Sequence, residues 1–382
     1  MKRILILLIV AVCMLAACRR AVNNSETTAN SVAEGEKISL HYSTLLRLYD
    51  CVGYTKVELR NPADTSEVSR TYIMVEANTN LDSLPSGILI KIPLQKALVC
   101  TSLHSGLLHT LGALQQIGGV CDAKYIVDSV IRANIAAGKI ADCGYTANPD
   151  RERIVSLAPD AVLLSPYDGM QTISFFDAAN IPVVDCVDYL ENTPLGQAEW
   201  IKFYGILTGH KHEADSIFDV VVRNYTELSS QIAKIDSRPS LLAEKMYQQT
   251  WFVPTGKSTS GVFYKDAGFS YVFDAQSSND GRVSVPLTFE QVYATAHDAD
   301  FWIFKYYGEH QSLTLELLVS ENPQYKDFKA YKQHKIYACN TWQTPYYDET
   351  PFRPDILLRE LVAISHPDII KDFTPKYFFP LE

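Results

Sequence analysis

Several things are missing from this chain, and each absence removes a class of function. After residue 17 no apolar run approaches the roughly 18 unbroken residues of a membrane-spanning helix, so no second membrane element is expected. There is no CxxC pair and no Cys/His spacing of the zinc-site kind. There is no GxSxG, no glycine-rich phosphate loop, no HExxH and no pair of carboxylates spaced for acid–base work. Positive charge is scarce: 34 Lys and Arg stand against 44 Asp and Glu, a net charge of −10, which makes nucleic acid a poor partner. No short-period repeat is present, and low complexity is confined to residues near the N-terminus. What remains is an ordinary globular composition, 47% hydrophobic and 20% charged. It carries 22 tyrosines, a residue suited to amphipathic binding surfaces.

The N-terminus is an export signal. Lys2 and Arg3 are followed by an apolar stretch from Ile4 to Met14, too short to cross a bilayer and stay, and then by Leu15-Ala16-Ala17-Cys18. That tetrapeptide resembles the bacterial lipobox. The resemblance implies cleavage after residue 17 and acylation of Cys18, with the acyl chains anchoring the protein. Residues 18–36 then read as lipidated cysteine and flexible tether, poor in apolar surface. Arg19 and Arg20 favour a periplasm-facing anchor, with the cell surface as the alternative. Cys13 leaves with the signal. Cys51, Cys100, Cys121, Cys143, Cys186 and Cys339 remain, and the sequence does not choose among their pairings. Cys100, Cys186 and Cys339 lie in apolar, strand-like runs and read as buried thiols.

Beyond the tether the chain divides by pattern. Residues 37–95 are β-rich: Thr55–Leu59 and Thr71–Glu76 alternate, Asn61–Asp64 is turn material, and Ile88–Ile92 adds a third run. Residues 96–192 alternate strand and helix, as an N-terminal α/β lobe. Ala97–Thr101 is a strand and Ser105–Ile117 a helix. Asn148 caps a helix that starts at Pro149, and Ala161–Ser165 and Val183–Val187 are buried parallel strands. Residues 193–237 form a helical linker. Within it Ile217, Val221, Tyr225, Leu228, Ile232 and Ile235 recur at helical spacing, predicting one helix over Glu213–Ile235, roughly 35 Å long. Residues 238–382 are a C-terminal α/β lobe. Its strands are predicted at Leu241–Tyr247, Trp251–Val253, Phe301–Phe304 and Ile336–Cys339. Its helices are predicted at Ser260–Ala267 and Pro354–Ile364, with a capping box at Thr288–Gln291. The fold class is therefore α/β: two βα lobes joined by one long rigid helix, with an extra β-rich N-terminal segment.

That arrangement is similar to the solute-binding proteins of ABC importers, in the class that carries ferric siderophores, haem or cobalamin. Ala97-Leu-Val-Cys-Thr-Ser102, Leu111-Gly-Ala-Leu and Gly118-Gly-Val look like the family's opening strand, helix and strand. Gly144-Tyr145 and Arg151-Glu-Arg-Ile-Val-Ser-Leu-Ala-Pro-Asp160, followed by Ala161-Val-Leu-Leu-Ser165, resemble its segment P-D/N-x-E-x-I-x-x-L-x-P-D-x-V, the most specific match. Trp251-Phe-Val-Pro-Thr-Gly256 and Asp266-Ala-Gly268 resemble the second lobe. The similarity covers about residues 96–370 and leaves 37–95 outside. It implies a monomeric carrier with no catalytic residue, no resident metal and no cofactor besides the lipid. The carrier would hold an iron chelate, haem or a corrinoid between two rigid lobes and deliver it to a transmembrane permease. It also implies acidic docking residues on each lobe. Glu152 stands at the first-lobe position, whereas Ser260-Gly-Val-Phe-Tyr264 has no acid at the second and Asp266 comes late.

Ligands of open α/β sheets lie at strand carboxyl ends, which singles out loop residues just after strands. Ser102 and His104 follow the first strand, with Ser105 beside them. Tyr145 sits where haem-binding members carry an iron ligand, and Tyr167 and Asp168 follow Ser165. Tyr247 and Trp251 bracket a turn in the second lobe, and Trp342, Tyr346, Tyr347 and Arg353 follow Cys339. Flat aromatics suit a macrocycle or chelate, and Arg353 suits an anionic group. His210-Lys-His212-Glu213 is not a metal motif, because residues two apart on a helix do not share a face. His109 reads as structural. A carrier of a bare transition metal would need a His/Asp/Glu cluster drawn from both lobes, and the strand ends offer mainly aromatics. An enzyme is the remotest reading.

Overall fold

The computed structural model describes residues 35–80, 84–166, 172–276, 283–309 and 312–382. The residues read as an export signal, Cys18, Tyr167 and Asp168 lie outside these residues.

The segment ahead of the first lobe is one five-stranded sheet in the order β1-β2-β3-β4-β5. Its strands are β1 (Glu36–Ile38), β2 (Leu46–Cys51), β3 (Tyr54–Arg60), β4 (Val68–Glu76) and β5 (Ile88–Ile92). The first four pair antiparallel and β5 joins β4 in parallel. Alternation puts Leu46, Leu48, Val57, Leu59, Tyr72 and Met74 on one face, and all are buried in the core that continues through both lobes. Buried polar groups fasten this sheet to the rest. The Glu199 carboxylate accepts from the N–H groups of His41, Tyr42 and Ser43 at 2.8–2.9 Å. Glu191 accepts from Ser43 Oγ, Thr44 Oγ1, Leu45 N–H and Trp200 Nε1. Arg70 Nε meets Asp185 Oδ2 at 2.8 Å, and the Tyr72 hydroxyl accepts from Asp185 N–H.

The first lobe is a parallel sheet in the order β12-β11-β6-β7-β8. It comprises β6 (Ala97–Val99), β7 (Ile117–Val120), β8 (Ala141–Asp142), β11 (Ala161–Leu164) and β12 (Val183–Asp185). A two-strand ladder, β9 (Gly144–Tyr145) with β10 (Asn148–Pro149), follows β8. The helix after β6 runs Ser102–Thr110, capped by the Thr101 side chain. It stops earlier than its leucine periodicity predicts because Gly112 takes φ +83°. Leu114 then falls in a 3₁₀ turn and Ile117 opens β7. Asn148 and Pro149 are likewise not the start of a helix. They pair with β9, and Asp150 caps the helix Arg151–Leu157 by accepting from Arg153 N–H at 3.0 Å.

The long linker helix is Lys211–Ile232, 22 residues or about 33 Å. It begins just past Gly209 (φ +75°), which ends the preceding helix Ile201–Thr208. Ala214, Phe218, Val221, Tyr225 and Ile232 form its buried stripe, set against that neighbour and the helix Pro354–Ser365.

The second lobe holds the sheet β16-β13-β18-β19-β20, parallel except for its last strand. These strands are β13 (Ser240–Ala243), β16 (Ser270–Tyr271), β18 (Phe301–Tyr306), β19 (Ile336–Asn340) and β20 (Phe379–Pro380). An antiparallel sheet of β14 (Met246–Tyr247), β15 (Thr250–Pro254) and β17 (Ser284–Leu287) stands beside it. The expected strand Leu241–Tyr247 is thus two strands in two sheets. They part at Glu244, whose φ of +60° lies in the left-handed region. Two tryptophans brace the break: Trp251 Nε1 donates to Ala243 O (3.0 Å) and Trp302 Nε1 to Glu244 O (2.7 Å). Near the C-terminus, Glu360 accepts from the N–H groups of Lys376, Tyr377 and Phe378.

All six cysteines in the described residues are free, and Cys100 Sγ lies 3.7 Å from Cys121 Sγ. The foot of β13 carries a pH-sensitive contact. Asp300 accepts from Ser240 N–H and Oγ and pairs with Lys329 Nζ, each at 2.8 Å. Burial opposes its ionisation, but the Lys329 ammonium and the Ser240 donors outweigh burial and lower its pKa to about 2. In the unfolded chain the same carboxyl titrates near ~3.9. Its contribution is therefore present above about pH 4 and is lost as pH falls through about 2. Asp300→Asn is expected to cost up to roughly 2 kcal/mol at pH 7 and to flatten the acid limb of stability between pH 4 and 2. Urea midpoints across that range check this; an unchanged slope would refute it.

Candidate functional site

A cavity of about 1250 Å³ lies between the lobes, at the carboxyl ends of their parallel strands. From the first lobe come Thr101, Ser102 and Leu103 after β6, Ser165 and Pro166 after β11, and Tyr189. The second lobe supplies Met246 and Tyr247 of β14, Phe252 of β15, Lys305, Tyr306 and Tyr307 from the end of β18, and Tyr346 and Tyr347 of the short helix Tyr346–Glu349.

The wall is aromatic, and its charges are paired. Lys305 pairs with Glu244, and Lys245 Nζ lies 2.5 Å from Glu321 Oε2. Burial would discharge Lys305, yet the Glu244 carboxylate beside it, with Tyr346, Tyr264 and Tyr347 around it, holds its pKa well above the ordinary lysine value. Burial likewise raises the Tyr346 and Tyr347 phenols, so both are neutral at pH 7. They present flat faces and O–H donors rather than negative charge. Among the described residues no group of three His, Cys, Asp or Glu side chains could hold a metal ion.

Of the residues singled out from sequence, Ser102, Tyr247, Tyr346 and Tyr347 stand together on this cavity, and Tyr247 is 70% exposed. Trp342 lines a smaller pocket opening beside them. The others lie elsewhere. His104 faces the core at 1% exposure, with Nε2 2.9 Å from Asp188 Oδ1 and Nδ1 against Thr101 Oγ1. Tyr204 OH donates to the same Asp188 oxygen. Burial disfavours charge on His104, but Cys186 and Asp188 beside it raise its pKa to about 10. Held between Thr101 and Asp188, it steadies the Thr101–Ser102 turn and is not a wall residue. Trp251 is fully buried, stacked on Trp302 at 5.6 Å, because strand alternation turns it inward and turns Phe252 into the cleft. Arg353 is spent on a bidentate pair with Asp355 at 2.9 and 3.0 Å and lines no part of the cavity. Tyr145 is exposed on the β9–β10 ladder, outside the cavity lining, with Lys124 Nζ 5.4 Å above its ring. Glu152 is exposed on its helix. Asp266 accepts from Tyr225 OH at 2.7 Å and is no free surface acid.

Sequence reasoning passed over Phe252, Lys305, Tyr306 and Tyr307. The last three follow Phe301–Phe304 and were reachable by the loop-after-strand argument. Glu321, at the end of the helix Leu315–Glu321, gives no local signal.

Comparison with known proteins bears on this geometry. A lipoprotein of Methanocaldococcus jannaschii, itself uncharacterized, is 26% identical over 76% of this chain and 69% of its own length. Two solved structures share the fold. One, described as an ABC-type Fe3+-hydroxamate transport system, is from Saccharomonospora viridis (TM-score 0.55, 16% identity, 71% of this chain and 93% of that one). The other is a periplasmic heme-binding protein from Pseudomonas aeruginosa (TM-score 0.55, 16% identity, 75% and 97%). The family model described as periplasmic binding protein matches residues 99–341. With two α/β lobes, a long linker helix and a cleft at the strand ends, the chain belongs to the periplasmic binding protein family.

Proposed function

We propose that the protein is a lipid-anchored carrier that binds an iron chelate, a ferric siderophore or haem, in the interlobe cleft and delivers it to an ABC-type permease. The observation that carries this is the cleft itself: some 1250 Å³ at strand ends, walled by Tyr247, Phe252, Tyr306, Tyr307, Tyr346 and Tyr347. The heme-binding and Fe3+-hydroxamate proteins that share the fold support it, and the lipoprotein relative supports acylation at Cys18. Glu152, exposed on the helix Arg151–Leu157, is the proposed first-lobe docking acid. No catalytic role is assigned to any residue.

One observation favours a second reading. Both lysines on the cavity wall are already paired with glutamates, Lys305 with Glu244 and Lys245 with Glu321. A neutral wall suits an uncharged ferric hydroxamate or a corrinoid better than a multiply anionic catecholate.

The test is titration of intrinsic tryptophan fluorescence with haemin, a ferric trihydroxamate, a ferric catecholate and cyanocobalamin. Sub-micromolar saturation by one class is expected, weakened about tenfold or more, ~1.4 kcal/mol, by Tyr247→Ala. Silence towards all four would overturn the proposal.

A further inference from the structure

Beside the main cleft is a smaller pocket of about 260 Å³ that shares Ser102, Tyr307 and Tyr347 with it. Its own walls are Tyr125 from the first lobe, Trp342 from the second, and Asp348. The Trp342 ring is met edge-on by Tyr125 (6.4 Å, 87°) and by Tyr307 (5.5 Å, 64°), so three π-systems converge on one space. Asp348 lines the pocket where it faces Ser102 and Val127 of the first lobe. The nearby acids Glu349 and Asp128 pair with Lys376 and His109, and Asp348 has no ion-pair partner among the described residues. No Lys, Arg or His lines the pocket. Lys124 lies over the Tyr125 ring, 4.5 Å from Nζ to centroid, but outside the pocket lining.

Ring faces are negative, and a carboxylate without an ion-pair partner is uncompensated; both attract a positive group. A hydrated inorganic ion gains little from ring faces, whereas an ammonium carried on carbon satisfies the apolar rings and the carboxylate together. The volume falls below the ~300 Å³ at which pockets begin to hold drug-sized molecules, so the occupant is a small head group. We propose that this side pocket binds an alkylammonium group, either a separate solute or a cationic arm of the molecule in the main cleft. The inference rests on the side pocket alone and is independent of the chelate reading.

Trp342 reports on it directly. The chain has four tryptophans, and Trp200, Trp251 and Trp302 are fully buried. Choline is the probe and uncharged 3,3-dimethylbutan-1-ol its neutral isostere. Choline is expected to change the fluorescence saturably with a millimolar Kd, and the alcohol to bind at least about tenfold more weakly. Asp348→Asn keeps the shape of the side chain and removes its charge, and should weaken choline about tenfold or more. Tyr307→Leu, on a half-exposed ring, is the second variant should the first fail to fold. No saturable change up to roughly 0.1 M choline, or equal responses to choline and the alcohol, would overturn the proposal. A further arm separates the two sources. A linear ferric trihydroxamate ending in a free ammonium is compared with its N-acetylated form. A tenfold preference for the free ammonium assigns the pocket to an arm of the cleft ligand. Equal affinities with choline binding intact assign it to a separate solute. Failure of both chelates counts against the chelate reading and leaves the choline result standing.

Discussion

Glu191→Ala is expected to lower the free energy of unfolding by about 3–5 kcal/mol, a large part of the ~5–15 kcal/mol that holds a typical domain. The reason is the number of donors on one buried carboxylate. Ser43 and Thr44 give hydroxyls, Thr44 and Leu45 give N–H groups, and Trp200 gives its indole N–H. Alanine leaves the buried Leu45 N–H and Trp200 indole N–H without an acceptor and removes that of the less buried Ser43 and Thr44. The loss exceeds that of an exposed ion pair, which is worth about 0–1 kcal/mol. Glu191→Gln keeps one oxygen but turns an NH₂ group towards donors, and an intermediate loss is expected. Urea denaturation of the three proteins gives the order. A loss under about 1 kcal/mol for alanine would mean that Glu199 and apolar contacts suffice to hold the 41–45 segment.

Trp251→Ala is the second large effect, and Phe252→Ala is its control. Trp251 packs on Trp302, Tyr325 and Phe328 in the second-lobe core. Its removal is expected to cost about 3–5 kcal/mol through a cavity and lost burial. Its Nε1 also braces Ala243, one residue before the left-handed Glu244, so part of the loss comes from the freed carbonyl. Phe252, the next residue, is 46% exposed on the cleft wall. Its loss should cost less than about 1 kcal/mol of stability, yet weaken ligand binding about tenfold. Thermal melts and the fluorescence titration read the two effects separately. Equal effects of the two substitutions on affinity would show that the core side of β15 also shapes the cleft.

That pair also shows what sequence patterns reveal and where they stop. Hydrophobic runs located both βα lobes and the linker helix, because buried parallel strands and a striped helix leave strong local periods. Edges were less legible. The helix after β6 is shortened by the glycine at 112, and the apolar run from 241 is cut at Glu244, where a left-handed residue hands the chain to another sheet. The left-handed backbone at these two positions is not read from hydropathy. For the site, placing candidates just after strands located Ser102, Tyr247, Tyr346 and Tyr347 on the cleft. It gave no direction for a side chain within a turn. His104 and Arg353 occupy suitable positions in the chain and are satisfied by Asp188 and Asp355, the first of these 84 residues away in sequence. A partner that distant cannot be read from spacing.

The carboxylates at 191 and 199 have a consequence for modularity. The family resemblance begins at about residue 99, which invites the view that the sheet before it is a detachable add-on. The bonds say otherwise. Glu199 holds three successive amides of residues 41–43, Glu191 holds 43–45, and its own carbonyl accepts from Thr259 Oγ1 on the opposite lobe. Cutting the chain at residue 96 would strip the buried Glu191 and Glu199 of most of their donors and uncover the core partners of Leu48, Val57 and Tyr72. The smallest transplantable unit therefore starts at the first described strand, and a domain boundary drawn from the family match would split one folding unit in two.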